Sequence, residues 1–237
     1  GDIQAFIFED TIAGKNKNFS EVIPNFVYGI NNNLALSGGI PIAAKFKDGN
    51  CKSSGIEDIY VQLEYAFYNK DSSRYANQAT LVTAINLPTG STKKNPSTGL
   101  GSTSFFIGLT ANHMSTDWYI FASPGISLPT GNANKSFGQI YFYQFGIGRN
   151  LNYIPSKRII TLIMEFFGAT NSKKNNITST INKNLISDGF YIGPSLWIST
   201  QKFIFNTGIA FNASKSEISK NKFKYFFAFE LGYKFNS

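Results

Sequence analysis

The stretch 223–235 at the C-terminal end of the chain constrains the fold more than any other part of the sequence. Its odd positions are all large and apolar, whereas its even positions include Lys224, Glu230 and Gly232. Successive side chains of a strand point to opposite faces, so a strand here has one apolar face and one face that carries charge. An apolar exterior and a polar interior are typical of a membrane-spanning β-barrel strand, which needs about 9–11 residues to cross a bilayer. An edge strand of a large β-sandwich is the alternative for this segment taken alone.

The composition agrees with a membrane β-barrel, a class of protein that a hydropathy search for transmembrane helices does not detect. The 237 residues include 23 Phe, 12 Tyr and 21 Gly, and the mean hydropathy is −0.13. Nowhere does the sequence approach the roughly 18–20 consecutive apolar residues of a transmembrane helix. Aromatic and β-branched residues dominate, separated by Gly, Asn, Ser and Thr, so the sequence predicts an all-β fold and one domain over residues 1–237.

Alternation of apolar and polar residues recurs along the whole chain and predicts about twelve strands. The candidates are 3–8, 22–30, 34–42, 59–68, 79–87, 104–111, 118–128, 139–149, 159–168, 190–198, 203–211 and 223–235. Twelve segments that each have one apolar face suggest a single closed sheet with its apolar side outward.

The predicted connections alternate in length. Long polar links are expected at 9–21, 45–55, 88–103, 129–137, 169–188 and 213–222, and short ones at 31–33, 69–75, 112–117, 150–156 and 199–202. This is the pattern of a transmembrane up-and-down antiparallel barrel with extended external loops and tight periplasmic turns. An even strand count places both termini on the periplasmic side. A Greek-key sandwich gives no reason for such alternation.

The charge distribution argues against nucleic-acid binding, the usual explanation of a formal charge of +8. Basic residues concentrate in the six long links rather than on one face: Lys15, Lys17, Lys45, Lys47, Lys52, Lys93, Lys94, Lys135, Lys173, Lys174, Lys183, Lys215, Lys220 and Lys222. In a barrel they form a basic extracellular crown beside the phosphate-rich outer leaflet, where lysine contacts with lipopolysaccharide are favourable. Ordinary solvated loop charge is the alternative interpretation.

Several short motifs resemble one family of outer-membrane proteins. The sequence Leu-Pro-Thr-Gly occurs at 87–90 and again at 128–131, each time where a strand meets a long loop. Together with Tyr-Gly-Ile at 28–30, Asn-Leu-Ala-Leu at 33–36, Gly-Ile-Pro at 39–41, Ser-Gly-Ile-Glu-Asp-Ile at 54–59, the strand 61–67, the Gly99/Gly101 pair and the terminal strand, it resembles the family named "MetA-pathway of phenol degradation". The resemblance implies a barrel in the outer membrane of a Gram-negative bacterium that takes up small compounds, with aromatic ones as candidates. It supplies no catalytic or ligand residues.

Candidate catalytic and metal-binding groups are sparse. His113 and Ser115 are similar to the His-x-Ser pair of outer-membrane phospholipase A, and residues i and i+2 of a strand share a face. Here, however, both fall in the predicted short turn 112–117, so a turn histidine is the preferred interpretation. His113 is the one histidine and Cys51 the one cysteine, which leaves no His/Cys metal cluster. The sequence therefore predicts neither an enzyme nor a cofactor.

The residues expected to point into the barrel are the candidates for function. They are Tyr60, Gln62, Glu64, Tyr119, Gln144, Glu165, Trp197, Asn206, Lys224 and Glu230, with Tyr68, Phe121 and Phe226 as further inward aromatics. Barrels of about eight strands fill themselves and those of about 16–18 leave a wide channel, so twelve strands predict a narrow lumen. Carboxylates are costly in a dry interior, which predicts water or a basic partner such as Lys224 beside them.

We therefore expect a monomeric outer-membrane channel for passive uptake of small molecules, with hydrophobic or aromatic ones as candidates. A plugged barrel whose basic loops bind a surface partner or lipopolysaccharide is the first alternative. A lipid-facing hydrolase that uses His113 and Ser115 is the second.

Overall fold

A computed structural model of the chain describes residues 3–14, 17–131, 138–154, 157–172, 189–213 and 225–235. The strands are β1 (Ile3–Gly14), β2 (Lys17–Asn31), β3 (Leu34–Gly39), β4 (Ile42–Asp48), β5 (Cys51–Ile56), β6 (Tyr60–Asp71), β7 (Tyr75–Asn86), β8 (Ser104–Ser115), β9 (Trp118–Pro129), β10 (Ile140–Ile154), β11 (Arg158–Asn171), β12 (Gly189–Thr200), β13 (Phe203–Asn212) and β14 (Tyr225–Phe235). In these ranges no helix has the length and apolar character to cross a membrane.

The strands form one antiparallel sheet that closes on itself. Each strand from β6 to β14 pairs with its neighbour in sequence, β14 pairs with β1, and β1 pairs with β2. The β2–β3 and β3–β6 pairings complete a ring of twelve strands. Closure leaves no unpaired edge in the ring, which a sheet surrounded by hydrocarbon requires. The predicted fold, an all-β up-and-down barrel of about twelve strands, is confirmed.

The hairpin β4–β5 extends the barrel wall above this ring. Strand β4 pairs with the same edge of β2 as β3 does, after a break at Ile40 and Pro41. The break falls there because proline has no N–H to donate to the backbone ladder. The second strand of the hairpin runs toward β6 and is separated from it by residues 57–59. The hairpin turns at Gly49, whose φ of 61° is favourable for glycine.

The prediction of long loops at 9–21 and 45–55 is wrong. The connections are two residues each, at 15–16 and 49–50, and the flanking segments are paired strand. Lys17, Lys45, Lys47 and Lys52 therefore lie on strands. Above the lipid-facing belt the outer face of a strand meets water, so it needs no apolar alternation, and polar sequence there does not indicate a loop.

The start of β1 and the end of β14 lie together at the short-turn end of the barrel, as predicted. Ile3 pairs with Phe235, and the turns at 32–33, 72–74, 116–117 and 201–202 lie on the same side. In barrels of this kind that side is periplasmic. The other end carries the longer connections, of which residues 87–103 are described in full.

Apolar side chains cover the outside of the barrel and polar ones fill much of the inside. On β6, Val61, Leu63, Tyr65 and Phe67 are each at least 40% exposed. Buried positions include Ser37, Thr80, Thr161 and Ser195. The terminal strand follows this pattern, since Leu231 and Phe235 are exposed and Gly232 is buried. This distribution is the inverse of a soluble protein's and fits a lipid-facing belt.

Residues 87–103, here called the capping loop, cover the edge of β5 that no described strand pairs with. The Ser53 hydroxyl donates to the Pro96 carbonyl at 2.6 Å, and Thr98 is almost fully buried. The carboxylate of Asp58 accepts from the Gly90 amide at 2.9 Å and, through its other oxygen, from the Leu100 amide at 2.7 Å. Asp58, in the connection between β5 and β6, thus binds the capping loop both near its start and near its end.

We expect Asp58→Ala to detach the capping loop. Two part-buried amides lose a charged acceptor, which should lower the free energy of unfolding by about 2–4 kcal/mol and accelerate hydrogen exchange at Gly90 and Leu100. Denaturant titration in lipid vesicles measures the first effect and exchange mass spectrometry the second. The control is Asp117→Ala, which breaks an exposed 3.4 Å ion pair with Arg149 and should cost about 0–1 kcal/mol. Unchanged exchange at both amides would contradict this role of Asp58.

Candidate functional site

A cavity of about 590 Å³ occupies the long-loop half of the barrel interior. We call it the upper cavity. Its described lining is largely aromatic, with a few amides, small residues and one carboxylate: Phe19, Glu21, Phe46, Tyr60, Gln62, Ala84, Asn86, Phe106, Ser123, Ser127, Phe142, Tyr143, Gln144, Phe167, Gly168, Ala169, Gly189, Tyr191 and Phe226. Its volume falls within the usual range of ligand pockets, roughly 300–1,000 Å³.

Aromatic contacts organise the wall of the upper cavity. Phe106 and Phe142 lie 6.1 Å apart between ring centres, and Phe167 meets the edge of Phe226 at 5.1 Å. Phe19 packs against Phe46 at 5.2 Å, which buries the inner face of the β4 hairpin. Such edge-to-face pairs leave ring surface facing the cavity and hold the rings in place.

Inward glycines make room for these rings. A β-carbon at Gly39 would lie 2.6 Å from the ring atoms of Tyr60. A β-carbon at Gly125 would overlap the ring of Phe106. At both positions the absence of a side chain lets a ring lie along the barrel wall instead of across the lumen. The small inward residues thus determine how much of the lumen stays open.

A second cavity of about 370 Å³, the middle cavity, lies next to the first and shares Gln144, Phe167 and Phe226 with it. Its other described lining residues are Glu165, Gly193, Pro194, Ser195, Asn206, Gly208, Ile209, Ala210, Ala228, Phe229 and Glu230. Two carboxylates from strands β11 and β14 therefore face one small space. The shared residues show that the two cavities adjoin, so that an aromatic environment lies next to one that contains two carboxyl groups.

Neutral donors hold the two carboxylates of the middle cavity. Gln144 Nε2 donates to Glu165 Oε2 at 3.1 Å, and the Ser195 hydroxyl donates to Glu165 Oε1. Asn206 Nδ2 lies 3.5 Å from Glu230 Oε2. None of the described residues that line either cavity is lysine or arginine. These hydrogen bonds orient the two carboxyl groups, and no described lining residue forms an ion pair with either of them.

Below the middle cavity two aromatic rings meet inside the barrel. Tyr119 on β9 and Trp197 on β12 lie 5.4 Å apart, although two strands separate them in the sheet. Phe121 stacks on Tyr119 at 5.7 Å, and Tyr119 is 8% exposed. The indole nitrogen of Trp197 is buried and has no hydrogen-bond partner. We call this contact between Tyr119 and Trp197 the constriction.

The structure brings most of the predicted lumen residues together. Tyr60, Gln62 and Gln144 line the upper cavity, Gln144, Glu165, Asn206 and Glu230 line the middle cavity, and Tyr119 and Trp197 form the constriction. Glu64 accepts a 2.6 Å hydrogen bond from Gln62 and lines neither cavity. Lys224 lies outside the described residues, so its predicted pairing with a carboxylate stays a prediction.

The expected inward position of Tyr68 is wrong. A register shift between Ala66 and Tyr68 places Tyr68 opposite Ala79, and both Phe67 and Tyr68 are about half exposed. An extra residue on one strand reverses the alternation beyond it. Sequence periodicity contains no signal for such a bulge.

Sequence analysis missed five phenylalanines of the upper cavity. The sequence pattern predicts loops around Phe19 and Phe46. Phe106, Phe142 and Phe167 each stand next to another aromatic residue, which obscures the alternation. Counting in steps of two from a neighbouring residue predicted to point inward, such as Gln144 for Phe142, identifies Phe106, Phe142 and Phe167 as inward residues.

A pair of carboxyl groups lies beside the upper cavity at the mouth of the barrel. Glu57 lies in the connection between β5 and β6, on the long-loop side of the membrane-spanning strand β6, and hydrogen-bonds to Glu21. Burial, reinforced by the charge of Glu21, raises the pKa of Glu57 from 4.5 to about 9. Its Oε1 is buried without a hydrogen-bond partner. Glu57 therefore holds a proton at neutral pH and donates it to the Glu21 carboxylate.

His113 and Ser115 do not form a pair. Both lie on strand β8 rather than in the predicted turn, which begins only after Ser115. His113 Nδ1 is 2.6 Å from Asn77 Oδ1, and the Ser115 hydroxyl bonds to the backbone of Trp118. Among the described residues no group of three or more His, Cys, Asp or Glu could hold a metal ion.

The sequence matches the family described as "Putative MetA-pathway of phenol degradation" over residues 7–228. The chain belongs to this family, which confirms the resemblance noted from its motifs. None of the curated proteins compared with the chain matches its sequence.

Solved structures share the fold at low sequence identity. An outer membrane channel from Pseudomonas putida F1 is 9% identical, with a TM-score of 0.75 over 99% of this chain and 96% of that one. The porin NanC is 9% identical, with a TM-score of 0.56 over 97% and 98%. LpxR from Salmonella typhimurium is 8% identical, with a TM-score of 0.50 over 96% and 99%. The likeness to these proteins shows the barrel fold.

We expect Glu57→Gln to change how stability depends on pH. The folded chain keeps the Glu57 proton to about pH 9, whereas the unfolded chain releases it near pH 4.5. The free energy of unfolding should therefore fall as pH rises from about 4.5 to 9, and glutamine should remove this part of the slope. Denaturant titrations in vesicles at pH 5, 7 and 9 measure it. A variant with the same slope as the unaltered chain would show that Glu57 ionises normally.

Proposed function

We propose that the chain is an outer-membrane channel of a Gram-negative bacterium that admits small molecules by passive diffusion through the barrel lumen. The observation that carries this proposal is the pair of adjoining cavities inside a closed ring of strands whose outside is apolar. The names of two similar structures, an outer membrane channel and a porin, support the same function.

The lining of the path favours small solutes that have an apolar or aromatic part. Rings such as Phe106, Phe142 and Phe167 offer stacking and apolar surface in the upper cavity, while amides such as Gln62 and Gln144 accept and donate hydrogen bonds. A weak site of this kind concentrates a solute without retaining it, which diffusion through a channel requires. We infer that the channel acts as a monomer, because one chain closes the ring.

The constriction should set the rate of passage. It lies nearer to the short-turn end than either cavity, and aromatic side chains from β9 and β12 meet there across the lumen. Small thermal movements of Tyr119 or Trp197 would then decide whether a solute reaches the periplasmic end.

We expect Trp197→Ala to raise single-channel conductance in planar bilayers by roughly twofold, because it removes one half of the constriction. Liposome swelling with small neutral solutes should accelerate in the same way. The matched control is Trp118→Ala, which removes an outward indole that is 44% exposed and should leave conductance unchanged. If neither the unaltered chain nor Trp197→Ala passes ions or solutes, the channel function is wrong.

The second candidate is a plugged barrel whose extracellular surface binds a partner. The capping loop favours it, because Pro96 and Thr98 are buried and Lys94 of the loop donates a hydrogen bond to the Ser54 carbonyl of the hairpin, which also carries the exposed Lys45 and Lys52. An anionic surface such as lipopolysaccharide is the partner that these lysines would suit. Absence of conductance together with salt-sensitive binding to lipopolysaccharide vesicles would favour this function over the channel.

A further inference from the structure

We propose that the adjoining cavities form a binding site for organic cations, with the ammonium group in the middle cavity and an aromatic or apolar body in the upper cavity. The inference rests on the proposed function and names the class of solute that the lumen selects.

The first observation is the contrast between the charge of the chain and the charge of its lumen. The chain carries a formal charge of +8, with 22 lysines and arginines. None of these is among the described residues of either cavity, whereas Glu21, Glu165 and Glu230 are. A path lined by carboxylates attracts cations and repels anions, and low-dielectric walls strengthen the effect.

The second observation is a surplus of hydrogen-bond acceptors around the middle cavity. The side-chain amide nitrogen of Asn206 donates to Glu230, and Asn206 Oδ1 is buried without a hydrogen-bond partner. With the carboxylates of Glu165 and Glu230, three side chains therefore offer acceptor oxygens to one space. An ammonium group has three donors and no acceptor, so it complements this set, whereas a carboxylate or hydroxyl guest does not.

Nearby described cations do not already occupy this position. Lys234 follows Glu230 on the same face of β14, four residues toward the short-turn end and thus about 13 Å along the strand. Arg149 pairs with Asp117 at the exposed turn and lies over the ring of Trp118 at 5.0 Å.

The third observation is the position of the aromatic rings relative to the carboxylates. Phe167 and Phe226 line both cavities and meet edge to face at 5.1 Å, and Tyr191 lies 5.5 Å from Phe167 on the upper side. Ring faces attract a cation and also stack on an aromatic body. A guest with a ring one or two carbons from its ammonium would reach both environments at once.

The test uses three probes of nearly equal size that differ in charge: 2-phenylethylammonium, 2-phenylethanol and phenylacetate. Isothermal titration measures their binding to the full chain folded in detergent micelles. We expect the cation to bind at least about tenfold more tightly than the alcohol, a difference of about 1.4 kcal/mol, and the anion to bind most weakly. Reversal potentials across a salt gradient should show cation selectivity.

Variants locate the site. Glu165→Gln and Glu230→Gln keep the size of each side chain and remove its charge, and each should weaken binding of the cation by about tenfold while leaving the alcohol unaffected. Asp117→Asn removes a carboxylate from the exposed turn and should change neither. Thermal unfolding of each variant shows whether it retains the fold. A further variant, Ser195→Ala, removes a neutral hydrogen-bond donor to Glu165 and should weaken cation binding less than Glu165→Gln does.

The outcomes separate this inference from the proposed function. Conductance with equal binding of the three probes, or with loss of cation binding in Asp117→Asn alone, would overturn the inference and leave the channel intact. Cation binding that depends on Glu165 and Glu230 without any conductance would support the site and contradict the channel.

Discussion

Hydrogen bonding of the backbone is the constraint on which the rest of the structure depends. In hydrocarbon every unpaired amide or carbonyl costs several kcal/mol, so a sheet that crosses a membrane must close. Pairing of β1 with both β14 and β2 achieves this here. Closure then dictates the distribution of side chains, because one face of each strand meets lipid and the other faces a confined interior. The aromatic outside and the mixed inside both follow from it.

The interior differs from the water-filled pore of a porin in the types of residue that line it. Phenylalanines such as Phe106 and Phe167 share it with Glu165 and Glu230, and glycines such as Gly125 determine where the rings lie. A carboxylate next to an aromatic wall has a weaker water shell than one in bulk solution, so its preference among guests depends on their charge more strongly. The chemistry of the lumen therefore comes from a combination of residue types rather than from one motif.

Sequence alternation was sufficient for the fold class, the strand number and most inward residues, since a period of two is a direct consequence of strand geometry. It failed where that period is broken or hidden. The bulge at Tyr68 reverses the faces, adjacent aromatics conceal Phe142 and Phe167, and polar residues above the lipid belt made the paired segments around Phe19 and Phe46 resemble loops. The contact between Tyr119 and Trp197 joins strands β9 and β12, which no local pattern relates.

The edge of β5 gives the wall of the barrel a seam. Within the ring a ladder of backbone hydrogen bonds joins each strand to both neighbours, but the edge of β5 above the ring is joined to the capping loop by side-chain hydrogen bonds, by way of Ser53, Asp58 and Thr89. A few side-chain bonds are less cooperative than a ladder, so this quadrant can open while the twelve-stranded ring stays intact. The rim of the barrel is in this sense a separate unit of local unfolding, with a stability that selection can adjust without disturbing the membrane-spanning part.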